Sequence, residues 1–374
     1  MKIKLILKWL TRAILVGLVL AFLVGFVAYW RSTNECDRNT GSPTNPMKAV
    51  LHCEYGGPEV LRVEEVEKPV PNDNQVLVKV RAAAVNPLDL TIRGVLLLRP
   101  LSGLRKPKDT RLGVDYAGTV ETVGKNVTNF KPGDEVFGGK TGAFAEYVCV
   151  LADRAVVLKP ANRTFEQAAS VPVAAITALQ VLRDKGKIQP GQKVLINGAS
   201  GGVGTFAVQI AKSFGTEVTG VCSTRNVDLV RSIGADHVID YTKEDFTNGA
   251  QRYDLIFDLI GNHSFSERRR ILNPNGICVM AGVGGAGWHD DFAKRLAGEL
   301  NAYVASRFVS QKFIAYIAEF NKKDMMVLAD LMQSGKVTPV IDKTYKLNET
   351  PDALRYLEQG HARGKVVINL ENDN

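Results

Sequence analysis

The chain has 374 residues, 45% of them hydrophobic, enough to bury two sizeable cores. Its formal net charge is +8, but Lys2, Lys4, Lys8, Arg12 and Arg31 supply five of those charges in a stretch with no acid. The rest of the chain is close to balanced, so nucleic-acid binding is not indicated. Its five cysteines, Cys36, Cys53, Cys149, Cys222 and Cys278, form no C-x-x-C pair; this argues against a zinc ribbon or a disulfide framework and suits a reducing compartment.

In chain order, residues 13–30 come first as an uncharged, mostly apolar run. As a helix it would be about 27 Å long, just enough to span a bilayer core. Trp9, Tyr29 and Trp30 lie near its ends, as interfacial aromatics do. The run predicts a retained single-pass anchor; a cleaved signal peptide competes, but its apolar region is normally shorter and no A-x-A-like site follows. Residues 31–46 are rich in Ser, Thr, Asn, Asp, Gly and Pro and read as a linker. Strand patterns follow at 48–54, 60–66, 76–83, 118–123 and 144–150, interrupted by the turn Lys131-Pro132-Gly133-Asp134, and are barrel-like in texture. The basic stretch 99–111 reads as a solvated loop. Residues 168–182 form an apolar helix pattern, and strands alternate with helices thereafter, at 194–197, 217–222, 237–240, 254–259 and 276–281. Arg268, Arg269 and Arg270 read as the outer face of a helix, and Cys149, Cys222 and Cys278 as small core residues. Short strands at 338–345 and 365–370 are expected to fold back onto the first unit.

The segment Val194-Leu195-Ile196-Asn197-Gly198 runs into Ala199-Ser200-Gly201-Gly202-Val203-Gly204 and then an apolar helix pattern. Strand, glycine turn and helix N-terminus in that order suit a pyrophosphate: glycines allow close approach, and free helical N–H groups with the helix dipole offset the charge. Alanine stands at the first glycine of the usual G-x-G-x-x-G. The next strand ends at Cys222-Ser223-Thr224-Arg225 with no acid to hold a ribose 2′-hydroxyl. Ser223 can hydrogen-bond a 2′-phosphate and Arg225 can pair with it, and Tyr241 is a third candidate near the adenosine; these point to NADPH.

The run Val85-Asn86-Pro87-Leu88-Asp89-Leu90-Thr91-Ile92-Arg93-Gly94 is followed by Gly113-Val114-Asp115-Tyr116-Ala117-Gly118, Pro132-Gly133-Asp134-Glu135-Val136, Ser170-Val171-Pro172, Thr177-Ala178 and the glycine turn. In order and spacing, residues 47–370 resemble the medium-chain dehydrogenase/reductase superfamily, in particular its zinc-free quinone oxidoreductase group, which includes zeta-crystallin. The resemblance implies an α/β plus β-barrel fold: a doubly wound Rossmann sheet inserted in a GroES-like barrel, here preceded by one transmembrane helix. The expected division is anchor and linker to 46, barrel domain 47–168, Rossmann domain 169–310, and a return to the barrel domain over 311–374. A homodimer is also implied.

Zinc-dependent relatives carry a catalytic Cys where this chain has Asn86, a His-Glu pair where it has Val114-Asp115, and a four-cysteine lobe that is missing; no metal is expected. Without a Lewis acid, an acceptor that spreads charge over a conjugated system suits hydrogen-bond donors alone. Asn86 is the first candidate for a polar contact to the nicotinamide and substrate carbonyl, the alternative being a cap on the Pro87 turn. The resemblance gives Thr177 to the nicotinamide, the alternative being a bond to its own helix. It puts Thr91 where some members have a tyrosine. Arg363 and Lys365 are candidate phosphate contacts.

The expected activity is NADPH-dependent, zinc-independent reduction of a quinone at a membrane. Reduction of an enal, enone or enoyl thioester is the alternative, and a membrane-bound adaptor that binds NADPH without turnover is the second. The cytoplasmic side is favoured on cofactor supply, although more basic residues precede the apolar run than follow it.

Overall fold

The computed structural model describes residues 41–94, 99–281 and 304–371, together with Gly17, residues 24–27, Tyr29, Trp30, Thr33, Asn34, Cys36, Gly298 and Ala302. The first unit is built from β1 (Pro46–His52), β2 (Leu61–Glu67), β3 (Gln75–Val85), β4 (Asp115–Val123), β5 (Glu135–Gly139), β6 (Tyr147–Leu151) and β7 (Val156–Leu158). In β3, Val76, Val78 and Val80 turn into one buried cluster while Lys79 and Arg81 alternate with them. This strand is the hub. It pairs antiparallel with β4 along one side, and on the other with β6 at its start and with the last strand of the chain at its end.

The second unit comprises β8 (Lys193–Asn197), β9 (Glu217–Cys222), β10 (His237–Asp240), β11 (Tyr253–Asp258), β12 (Leu272–Ala281) and β13 (Lys312–Tyr316). All pair in parallel, in the order β10-β9-β8-β11-β12-β13. Taken as strands one to six, this is the 3-2-1-4-5-6 order of a doubly wound sheet. Val194 and Ile196 pack into one core and Leu195 into another, so β8 is apolar on both faces, as a covered parallel strand must be. Because β13 joins this sheet, the doubly wound unit takes in residues beyond the boundary expected at 310.

The chain then returns. Strands β14 (Ile341–Lys346) and β15 (Lys365–Asn369) add to β3 in the seven-stranded sheet. Helix α1 (Phe165–Ala169) sits at the junction, with Glu166 accepting from Asn369 Nδ2 at 2.7 Å. Thr164 caps it: Gln167 N donates to the Thr164 hydroxyl at 3.2 Å, and the Gln167 side chain accepts from Thr164 N at 3.2 Å. Thr164→Ala is expected to cost about 1 kcal/mol of stability, read as a lowered urea midpoint with an unchanged slope.

Three expectations are corrected. Among the described residues no helix is long and apolar enough to cross a membrane, which overturns the transmembrane helix over 13–30 and the membrane localisation built on it; most of that run lies outside the described residues. The expectation against disulfides is corrected by one bridge, Cys36–Cys53, with Cα atoms 5.8 Å apart, which fastens residue 36 beside the end of β1. That removes the argument for a reducing compartment. Arg268 does not face outward. It is 3% exposed, and its guanidinium lies 3.4 Å from the buried Asp258 carboxylate at the end of β11.

Candidate active site

The glycine turn follows β8 and opens helix α3 (Gly202–Ser213). A Cβ at Gly204 would lie 2.1 Å from the Gly198 carbonyl oxygen, so only glycine lets the helix start this close to the turn. Gly201, at the helix N-cap, has no side-chain cap, and a Cβ there would meet only the Gly198 oxygen, at 3.5 Å. The first N–H groups of α3 are thus left for an anion.

Around this turn the structure gathers several predicted contacts. Asn226, 5% exposed, donates from Nδ2 to Ser200 Oγ at 3.0 Å and Ser223 Oγ at 3.2 Å, tying the glycine turn to the tip of β9. Its buried Oδ1 has no partner among the described residues, an acceptor left for a ligand hydroxyl. Sequence reasoning passed over Asn226 because an Asn four residues past the end of a strand is ordinary turn chemistry. Arg225 donates to the His361 carbonyl at 2.7 Å, bridging to the returning segment. Tyr241 is exposed, and its backbone N–H bonds the Cys222 carbonyl at 3.0 Å. Arg363 is exposed, with its N–H on Asp342 at 2.8 Å.

Lys365 lies elsewhere. Gly364 pairs with Gly201, and its N–H bonds the Ser200 carbonyl at 2.9 Å. Gly364 has φ +96°, and a Cβ there would lie 2.4 Å from the Val340 oxygen. The Lys365 stem then passes Gly202, whose added Cβ would lie 3.2 Å from Lys365 Cδ. Its ammonium ends on Asn86 Oδ1 at 2.6 Å and Asp115 Oδ2 at 3.3 Å. Asn86 closes the triangle, donating from Nδ2 to Asp115 Oδ2 at 3.0 Å and to the Ala84 carbonyl at 3.2 Å. The Asn86 side chain therefore does not cap the Pro87 turn, and both of its amide hydrogens are committed. Asp115 Oδ1 accepts from Val173 N at 2.9 Å. The Thr177 hydroxyl spends its proton on the Val173 carbonyl at 2.7 Å. The Thr91 side chain lies outside the described residues.

Asp89 completes the buried group, accepting from Asn86 N at 2.7 Å and Gly113 N at 3.2 Å. Burial pushes its carboxyl up to about 7, and the neighbouring Asp115 charge acts in the same direction. Burial also raises Asp115, against the pull of the Lys365 ammonium and the Asn86 amide. In the sequence Asp115 counted only as a missing zinc ligand; here it is the anion of the site. Among the described residues no group of three or more His, Cys, Asp or Glu is arranged to hold a metal ion. The oxygens of Asn86 and Asp115 converge instead on an ammonium, a set that does not fit zinc.

The site thus pairs an uncapped glycine-rich helix N-terminus at the carboxyl end of a doubly wound sheet with a buried Asn–Asp–Lys group from the barrel. Comparison with known proteins agrees with that architecture. Residues 72–161 match the model described as the alcohol dehydrogenase GroES-like domain, and residues 233–368 match one described as zinc-binding dehydrogenase. The bovine (Bos taurus) mitochondrial NAD(P)H oxidoreductase RTN4IP1 is 33% identical, over 92% of this chain and 96% of that protein. The chain belongs to the medium-chain dehydrogenase/reductase superfamily, in its zinc-free quinone oxidoreductase group.

It is accordingly an oxidoreductase that uses a nicotinamide dinucleotide and acts on a small molecule. Human (Homo sapiens) quinone oxidoreductase is 32% identical, over 87% of this chain and 98% of that one. The NADPH-dependent alkenal/one oxidoreductase of Arabidopsis thaliana is 33% identical, over 86% and 79%. Among solved structures, the quinone oxidoreductase of Coxiella burnetii superposes with TM-score 0.76 at 29% identity, covering 87% of this chain and all of that one. The Escherichia coli quinone oxidoreductase, solved with NADPH, gives 0.72 at 25% identity over 86% and 99%. The residues present fit a dinucleotide: the N-terminus of α3 could accept a pyrophosphate, and Ser200, Ser223 and Asn226 offer polar groups beside it.

Proposed function

We propose that this chain reduces conjugated carbonyl acceptors with NADPH, quinones first and α,β-unsaturated carbonyls second. The observation that carries the reading is the buried Asn86–Asp115–Lys365 group, which offers an ammonium on the barrel side of the glycine turn. Such a site cannot polarise an isolated ketone as strongly as a metal, but it suffices where the acceptor delocalises the developing charge. The named activities of the human and Arabidopsis relatives support both acceptor classes. NADPH oxidation by the full chain, with chelator present, against a ubiquinone analogue and a medium-chain enone tests it: turnover of either supports the reading, and turnover of neither sinks it.

The preference for NADPH over NADH rests on Ser223 and Arg225 at a strand tip with no acid. Arg225→Ala is expected to lower the ratio of NADPH to NADH affinity about tenfold, a loss of about 1.4 kcal/mol for one charged hydrogen bond. An unchanged ratio would remove Arg225 from the assignment. Asn86 and Thr177 stay in the proposed site as positioning residues, and Ala199 to Gly204, Tyr241 and Arg363 as cofactor contacts. A homodimer belongs to the same reading, and sedimentation velocity would test it.

A further inference from the structure

We propose that Lys365 is the catalytic proton donor, delivering an ammonium proton to the carbonyl oxygen of the acceptor. The inference rests on the reductase reading above and deepens it.

Donor accounting carries the argument. The hydrogens that Asn86 and Thr177 could offer to a carbonyl oxygen are committed. Asn86 spends both amide hydrogens on Ala84 and Asp115, and Thr177 spends its hydroxyl on Val173. Asp89 and Asp115 act as acceptors, the first for two backbone N–H groups and the second for Val173, Asn86 and Lys365. Lys365 has three N–H donors and two acceptors, Asn86 Oδ1 and Asp115 Oδ2, which leaves one N–H unmatched among the described residues. The residue is 3% exposed. A buried ammonium with an unmatched donor is unfavourable on its own, and an acceptor from the substrate relieves it. The stem runs past Gly202 at the phosphate turn, so its head lies beyond that turn on the barrel side.

Bound NADPH supplies the hydride. As hydride reaches the acceptor carbon, the conjugated π pair moves onto the carbonyl oxygen, and that oxygen takes a proton from Lys365 Nζ. One N–H bond breaks, one O–H bond forms, and Lys365 is left as a neutral amine that regains a proton from water after product leaves. The Asp115 carboxylate keeps its charge, which would offset the positive charge that hydride donation leaves on a bound nicotinamide. Asn86 and Asp115 position the ammonium, and Asp89 fixes the Asn86 backbone.

The test compares wild type with Lys365→Met, Lys365→Arg and the charge-balanced double variant Lys365→Met/Asp115→Asn, which avoids an unpaired buried carboxylate. Three quantities are read: kcat with each acceptor, NADPH affinity by fluorescence, and binding of p-nitrophenolate, an oxyanion mimic, by its absorbance in the presence of NADP+. Both Met variants are expected to lose at least about 100-fold in kcat and about tenfold in phenolate affinity, with NADPH affinity within a few-fold of wild type. Lys365→Arg should keep phenolate binding but not the rate, since a guanidinium holds its proton. A double variant that turns over like wild type, or a loss confined to NADPH affinity, overturns the proposal. If wild type reduces neither acceptor, the reductase reading fails; equal phenolate binding by wild type and Lys365→Met then overturns the lysine's role independently.

Discussion

Asp115→Asn is expected to destabilise the fold by about 3–5 kcal/mol, although it is nearly isosteric, because it leaves a buried charge without its partner. Asp115 is fully buried and serves three donors: Val173 N, Asn86 Nδ2 and the Lys365 ammonium. An asparagine keeps one acceptor oxygen and turns an NH2 group toward a donor on the other side. Whichever way it flips, Lys365 stays buried with its cation uncompensated. The three donors come from β15, from the residue after β3 and from helix α2 (Pro172–Gln180), so the loss is felt across both units at once. Removing both charges should recover much of it. Lys365→Met/Asp115→Asn is expected to be more stable than the sum of the two single losses predicts, by up to about 3 kcal/mol of coupling. Denaturant titration of the four proteins gives the cycle, and strictly additive losses would mean that the pair does not interact.

The parts of this arrangement that the sequence reveals are those written in short-range pattern. The β8 run and the glycine turn are contiguous, so strand, turn and helix N-terminus are visible in a dozen residues, and the alternation Val76, Val78, Val80 marks a barrel strand. The triangle is not visible that way. Lys365 and Asn86 are 279 positions apart, and nothing local to either marks the other as its partner. Resemblance pointed to Asn86 and the returning C-terminal strand to Lys365, but not to their pairing: Asn86, expected as a polar contact, has both amide hydrogens committed, and the ammonium of Lys365, expected on a phosphate, ends on Asn86 and Asp115. The Cys36–Cys53 bridge was hidden too, since nothing local to either cysteine marks the other as its partner. Arg268 was misread because three arginines in a row look alike as composition, whereas a helix turns each by about 100° from the last and sends one of the three inward. The membrane reading rested on hydropathy and length over 13–30 with aromatics near the ends of the run, and among the described residues no helix is long and apolar enough to cross a membrane.

The pH dependence of stability should depend on two buried groups that pull in opposite directions. Asp89 titrates in the fold at about 7, against an ordinary value of 3.8. Between those values the unfolded chain has released the proton and the folded chain has kept it, so the Asp89 contribution falls as pH rises, by about 1.4 kcal/mol per pH unit. His52 does the reverse. Burial lowers it from 6.5 to about 4, against the pull of Asp109, so between pH 4 and 6.5 the unfolded chain binds a proton that the folded chain refuses. Its contribution rises with pH at the same slope. Over that window the two terms cancel in the native chain, and the Asp115 contribution, which runs in the same direction as that of Asp89, is common to every variant compared. Asp89→Asn is therefore expected to tilt the stability profile between pH 4.5 and 6.5 upward with pH, by about 1.4 kcal/mol per unit relative to wild type. His52→Gln should tilt it downward by the same amount. Urea midpoints at three pH values in that window suffice. If Asp89→Asn shifts the profile uniformly without changing its slope, Asp89 ionises in the fold as it does in water, and the desolvation argument for the floor of the site is wrong.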